Sequence, residues 1–243
     1  MKKIKNASEL LWVLGIVFVA LGVTICSKTN LGVSMIAAPA FVVAEVATEL
    51  NAFFNVGVTE YIIQGFVLII MCIIVGRFNW RYLLAFAVAV LYGYTLNLFI
   101  WLFGSIEFNA VWLRYLMLIV GDVLVAFGVA CFFRTYMPLQ VYELFVAEIA
   151  DRFKISITRV KCVFDITLLI ISVLLAFTLS GDAAEFDWST IWYSSFHSIG
   201  IGTLITTAIN SPTIAFMGKM IDRFFEATPR FLKLEQILKR NQA

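Results

Sequence analysis

The chain has 243 residues, 62% of them hydrophobic and only 14% charged, with a formal net charge of +2. A water-soluble domain cannot clothe itself with so little polar surface, so the class is an all-α integral membrane protein whose first partner is the lipid bilayer. The basic residues stand in short clusters between apolar runs and form no stripe, which excludes a nucleic-acid partner.

Six segments have the roughly 17–25 apolar residues that a spanning helix needs. They lie at 10–27, 57–76, 82–103, 111–133, 159–180 and 190–209. Residues 1–9 carry Lys2, Lys3 and Lys5 and read as a short cytoplasmic N-terminus. No small-residue cleavage site follows cleanly, so the first run is expected to remain as a span. It stops at Lys28-Thr29-Asn30-Leu31-Gly32. Residues 31–50 then resume apolar sequence but hold Pro39, Glu45 and Glu49, which predicts an interfacial or re-entrant helix. Spans two and three complete a first block over 10–103. Span four ends at Arg134-Thr135-Tyr136-Met137-Pro138, and 139–154, with Glu143, Glu148 and Asp151, is again predicted to be interfacial. Spans five and six complete a second block over 111–209. In the tail 210–243, residues 228–243 place Phe231, Leu234 and Leu238 on one helical face, as in a short helix lying on an anionic leaflet.

Lysine and arginine set orientation. Arg77 and Arg81 separate spans two and three; Arg134, Arg152, Lys154, Arg159 and Lys161 separate four and five; Lys219, Arg223 and further cations follow six. The alternate loops hold Glu107 and the acids Asp182, Glu185 and Asp187. Six spans with both termini cytoplasmic put every basic cluster inside, whereas one extra crossing in either half would break the alternation.

The two blocks echo each other. "GIVFVALGV" (15–23) matches "GDVLVAFGV" (121–129), and "FVVAEVA" (41–47) matches "LFVAEIA" (144–150). "FVLII" (66–70) matches "TLLII" (167–171), and "YTL" (94–96) matches "GTL" (202–204). At the breaks Lys28 falls on Arg134, Thr29 on Thr135 and Gly32 on Pro138. Three spans per block is an odd number, so the second block enters the membrane from the opposite side. The predicted fold is therefore two inverted three-helix repeats, each with a broken or re-entrant segment. In such folds paired Gly/Pro interruptions point to the substrate path, which nominates both breaks as gates. Ordinary helix ends with a snorkelling cation remain the alternative reading of these residues.

The first-half "ALGV…LG", the second-half "AFGV" and the late "GIGT…SP" (Gly200 to Thr203, Ser211, Pro212) resemble the YczE/YitT-type family of bacterial multi-pass membrane proteins. The resemblance covers most of 10–215 and implies a bacterial inner-membrane location. It brings no settled biochemical activity.

An ionisable group inside a bilayer costs about 2.5–3.5 kcal/mol on insertion scales, so each is a candidate for function. Asp122, in the middle of span four, is the sharpest, as a protonatable or cation-binding carboxyl facing the bundle interior. Asp165 in span five has Gln64 of span two as its approximate counterpart, and Lys161 one turn away can neutralise it. His197, the single histidine, is placed in span six among serines, where imidazole protonation is chemically available. Asn97 and Thr203 offer pseudo-equivalent polar positions for a small ligand or for interhelical hydrogen bonds. Thr59 and Glu60 read as structural, at the start of span two. The four cysteines lie in apolar runs without a CxxC pair and read as core residues.

No Gly-x-Ser-x-Gly, P-loop or HExxH occurs, and one histidine cannot supply an intramembrane zinc site. Neither an enzyme nor a cofactor or resident metal is expected. Two readings remain: a small proton- or cation-coupled secondary transporter of an unknown small molecule or ion, or a non-transporting membrane subunit for substrate capture or assembly. A homo-oligomer is compatible with both.

Overall fold

The computed structural model describes residues 7–179 and 189–231. Among them eight helices follow one another: α1 (Ser8–Lys28), α2 (Ala38–Leu50), α3 (Val56–Val75), α4 (Arg81–Leu102), α5 (Val111–Phe132), α6 (Val141–Phe153), α7 (Ile157–Leu179) and α8 (Ile201–Phe224). Five of these, α1, α3, α4, α5 and α7, are long and apolar enough to cross a membrane. The short helices α2 and α6 have 13 residues each, about 20 Å of helix against a hydrocarbon thickness of about 30 Å.

Local chemistry sets the boundaries. Pro39 lies in the first turn of α2, where its missing N–H leaves no gap in the ladder. Asn55 caps α3 by accepting the Val58 N–H, and Gly76 ends it in the left-handed region at φ 72°.

The sixth segment corrects the sequence expectation of 190–209. Residues 189–200 are turns, and the helix starts only at Ile201 and continues to Phe224. Ser194, Ser195, Ser198 and Gly200 favour non-helical backbone, and His197 and Ser198 both adopt positive φ. His197 therefore sits in a turn and not in a span. Residues 210–224, expected in the tail, are helical despite Pro212, because Thr203, Thr206, Asn210 and Ser211 bury a polar face. Helix α8 packs against α5 and α7, and Asn210 and Ser211 of that face stand beside Asp165 of α7. Residues 228–231 are not helical, and the rest of the expected amphipathic tail lies outside the described residues.

The exterior is apolar, with Ile73 and Trp101 about three-quarters exposed, while Glu60, Gln64, Asp122 and Asp165 are fully buried. This distribution is the one a bilayer selects, since hydrocarbon gives apolar side chains no reason to hide.

The principal seam joins α1 to α5. A Cβ at Gly22 would fall 2.5 Å from the Gly121 carbonyl oxygen, and one at Gly128 would fall 2.8 Å from the Gly15 carbonyl oxygen. The two helices thus run antiparallel with backbones in contact. The positions that match in the sequence echo, Gly15 with Gly121 and Gly22 with Gly128, meet crosswise. Beyond the seam, α1 packs on α4 and α5 on α8; α2 on α3 and α6 on α7; α2 on α7 and α6 on α3; α3 on α4 and α7 on α8. Each contact recurs when α1–α4 are exchanged for α5–α8. An additional contact joins α4 to α6.

Candidate functional site

Position sixty-four of the first half and its counterpart in the second anchor the site. On α3, Gln64 Nε2 donates to Glu60 Oε1 at 3.2 Å. On α7, Lys161 Nζ donates to Asp165 Oδ1 at 2.6 Å. Both pairs are spaced i,i+4 and both are buried, the second with side chains 3% and 1% exposed. The halves therefore present two equivalent intrahelical pairs of different charge.

Glu143, in the first turn of α6, joins them. It lies within electrostatic reach of Glu60, Lys161 and Asp165. The Tyr142 hydroxyl stands beside the Glu60 carboxyl. Asp122, at the middle of α5, lies within reach of Asp165 and Lys161. It is wholly buried, and neither of its carboxyl oxygens has a hydrogen-bond partner. Asn210 and Ser211 of α8 face Asp165 from the other side. The result is a file of buried groups running Glu60, Glu143, Lys161, Asp165, Asp122. One ammonium offsets one carboxylate, so the other three need protons or a further cation. Among the described residues no group of three His, Cys, Asp or Glu side chains is arranged to hold a metal ion.

Two cavities approach the file from opposite ends of the bundle. The first, of about 540 Å³, is bounded by Asn30, Gly32, Glu45, Val56 and His197. Val56 is one helical turn from Glu60. The second, of about 320 Å³, is bounded by Arg134, Thr158, Lys161, Ser211 and Asp222 and so reaches the file directly.

Both sequence breaks sit at these ends and are built alike. Leu31 N–H donates to Thr29 Oγ1 at 3.3 Å, and Met137 N–H donates to Thr135 Oγ1 at 3.1 Å. Lys28 Nζ donates to the Gly104 carbonyl at 3.1 Å. Arg134 instead grips Asp222 through Nε and Nη2 at 2.6 and 2.8 Å. Asn30, at φ 54°, accepts from Ser195 Oγ at 2.9 Å. Gly32, at φ 104°, lies so close to Gly200 and Thr203 that a Cβ there would fall 2.4 Å from Thr203 Oγ1. Thr203 therefore belongs to the first break and not to the buried file. At the second break, Trp12 Nε1 donates to the Pro138 carbonyl at 2.8 Å. His197 Nδ1 lies 3.2 Å from Glu45 Oε1 across the mouth of the first cavity.

Asn97 stands apart from the file. Its Oδ1 accepts the Gly57 N–H at 2.9 Å and its Nδ2 donates to Asn55 Oδ1 at 2.6 Å, so it completes the cap of α3. Several residues of the site were not nominated from sequence, Tyr142 and Ser211 among them. Glu60 looked like helix-start chemistry, Glu143 fell in a segment expected at the interface, and Asn210 lay past the expected end of span six. The sequence does carry a signal for Glu143: it shares a helical face with Val146 and Ala150, and that face is buried.

Residues 6–219 match a family described as a family of unknown function, DUF6198. The chain belongs to DUF6198. It matches no curated protein and no solved structure. The DUF6198 match spans α1 to most of α8, so every residue of the buried file falls within the family's own extent.

Proposed function

We propose that the protein is a small secondary transporter, proton- or cation-coupled through the buried file, built as two inverted repeats. The observation that carries this reading is the file itself: four carboxyls and one lysine, buried between cavities that open at opposite ends. A membrane protein retains such a cluster at a cost of several kcal/mol. The crosswise glycine seam, the two matching short helices and the twin Thr turns support a pseudo-two-fold relation between the halves. Alternating access in inverted repeats is a rocking of one half against the other around a central site. The lysine and arginine bias supports a six-span arrangement, with α8 as the sixth span. It puts the Arg134 end at the cytoplasm and the Lys28 end outside. The resemblance to YczE/YitT-type proteins favours a bacterial inner membrane. Asp122 is the coupling carboxyl, Asp165 and Lys161 form its counter-pair, and His197 with Glu45 lines the outer mouth.

The test is a proteoliposome assay with an internal pH indicator, run over a panel of small polar and cationic metabolites. At least one compound is expected to drive a pH change in the wild-type vesicles and none in Asp122→Asn vesicles. If no compound moves protons or accumulates in wild-type vesicles, and the native mass after mild extraction shows a bound partner chain, the membrane-subunit reading replaces this one.

A further inference from the structure

The region around Lys161 has more hydrogen-bond acceptors than its single ammonium can engage. An ammonium offers three N–H donors, and Lys161 donates to Asp165 Oδ1. Both oxygens of Asp122, Oδ2 of Asp165 and Oε2 of Glu143 are buried without a hydrogen-bond partner. These groups come from α5, α7 and α6 and all face the same lysine electrostatically. Buried acceptors left in that state are costly; Asn210 and Ser211 stand beside Asp165, which leaves Asp122 and Glu143 for a proton or an N–H-bearing cation to satisfy.

Lys161 also has somewhere to go. It forms part of the wall of the 320 Å³ cavity at the Arg134 end, beside Thr158 and Ser211. The equivalent position in the first half is Glu60, so the matching positions of the two halves carry opposite charge. A long flexible side chain in that position is a cation tethered to the protein within a site made of carboxyls.

We propose that the transported or co-transported ligand is a small primary ammonium compound that binds among Asp122, Asp165 and Glu143, with Lys161 acting as its tethered competitor. When the ligand's ammonium arrives, Lys161 withdraws into the inner cavity; when the ligand leaves, Lys161 returns and keeps the carboxyls partly neutralised. The exchange keeps one ammonium beside Asp165, while the loaded protein carries one more positive charge than the empty one, because Lys161 stays attached to the chain. This inference rests on the transporter reading for its physiological meaning, but binding itself can be measured without flux.

The experiment is a thermal-melt titration of the purified full-length protein in detergent with methylammonium chloride, the chemical end of a lysine side chain. Tetramethylammonium chloride, which has no N–H, and sodium chloride serve as controls at equal ionic strength. A ligand that binds only the folded state raises the melting temperature in a saturable way. Methylammonium is expected to stabilise Lys161→Met with a half-saturation at least tenfold below that of the wild type, and the response should vanish in Lys161→Met/Asp122→Asn. Lys161→Gln is the second variant, and recovery of folded yield by methylammonium during extraction counts equally in favour. Equal responses to all three salts, or no response to methylammonium in any folded form including the wild type, would overturn the proposal. If Asp122→Asn still abolishes proton-coupled flux in that case, the ammonium site falls and the transporter reading stands.

Discussion

Replacing Gly22 with alanine tests the seam between α1 and α5 quantitatively. The new Cβ would lie 2.5 Å from the Gly121 carbonyl oxygen and 2.8 Å from the Val125 backbone nitrogen, whereas ordinary contact begins at 3.4 Å. Both obstacles are backbone, so no side chain can swing aside, and the helices must part by about 0.9 Å to restore contact distance. A gap of 0.5–1 Å forfeits roughly a quarter to a half of each dispersion contact along the seam. Overpacking of this kind costs about 1–3 kcal/mol, against about 1 kcal/mol gained from alanine's better helix propensity. The net expectation is a loss of up to about 2 kcal/mol for Gly22→Ala, toward the upper end because the contacts are with backbone. Gly15 provides the internal control. Its added Cβ would meet the Phe132 ring at 3.1 Å and the Gly128 carbonyl oxygen at 3.2 Å, which a few tenths of an ångström relieve. Gly15→Ala should fall within about 0.5 kcal/mol of wild type, because the helix-propensity gain then offsets the crowding. The assay is tryptophan-fluorescence unfolding in detergent. If Gly15→Ala is the more damaging, or if both variants are neutral, the backbone-contact account of the seam is wrong.

Other outcomes follow from the same geometry. Asn97→Ala removes the acceptor for the Gly57 N–H and the partner of Asn55; it should cost about 1 kcal/mol of stability, leaving any transport rate per folded molecule unchanged in vesicles. Trp12→Phe leaves the Pro138 carbonyl without its donor and should lower stability by about 1 kcal/mol in the same unfolding assay. Thr48 and Thr158 line different cavities. With Cys72 and Cys162 replaced by alanine, Thr48→Cys and Thr158→Cys should react with a membrane-impermeant maleimide from opposite sides of sealed vesicles; labelling from one side only would refute the two-ended arrangement. Asp165→Leu should destabilise by about 1–3 kcal/mol, because Lys161 loses its hydrogen-bonded acceptor and must turn to Asp122, Glu143 or the adjoining cavity. Asp165→Leu/Lys161→Met should recover most of that loss, as read by melting temperature.

How far the sequence could be read depends on which force decided each element. Length and apolarity alone fix a spanning helix, so α1, α3, α4, α5 and α7 were found within a few residues. Helix α8 was expected at 190–209 but lies at 201–224, because its decisive face is polar: Thr206, Asn210 and Ser211 are buried, and no apolar run marks them. The turn before it is a matter of backbone conformation at His197 and Ser198, which an apolar-run criterion cannot see. The two breaks were legible because they repeat in composition, and both carry the same Thr-centred turn. Within the site, Asp122 was conspicuous as an isolated charge in a span, and the Lys161–Asp165 spacing announced a pair. Glu60 and Glu143 were not distinguishable from helix-terminal acids, since what makes them part of the file is convergence of α3 and α6 in three dimensions. Asn97 illustrates the converse: a polar residue inside a span, it serves a neighbouring helix end.

For the proposed transporter, the unequal pairs on α3 and α7 have a thermodynamic consequence. Glu60 with Gln64 holds one titratable acid and no cation, whereas Lys161 with Asp165 is a closed ion pair. If the halves were chemically identical, a conformation and its exchanged counterpart would be degenerate, and the molecule would divide its time evenly between them. With one half carrying an acid that must find a proton and the other carrying its own counter-ion, the degeneracy is lifted. The resting bias then varies with ambient proton concentration, and a ligand shifts it only by the difference in its affinity for the two conformations. On that reading an even scaffold with uneven charge is a direction-setting device: it lets the environment on one side of the membrane decide which way the empty transporter faces.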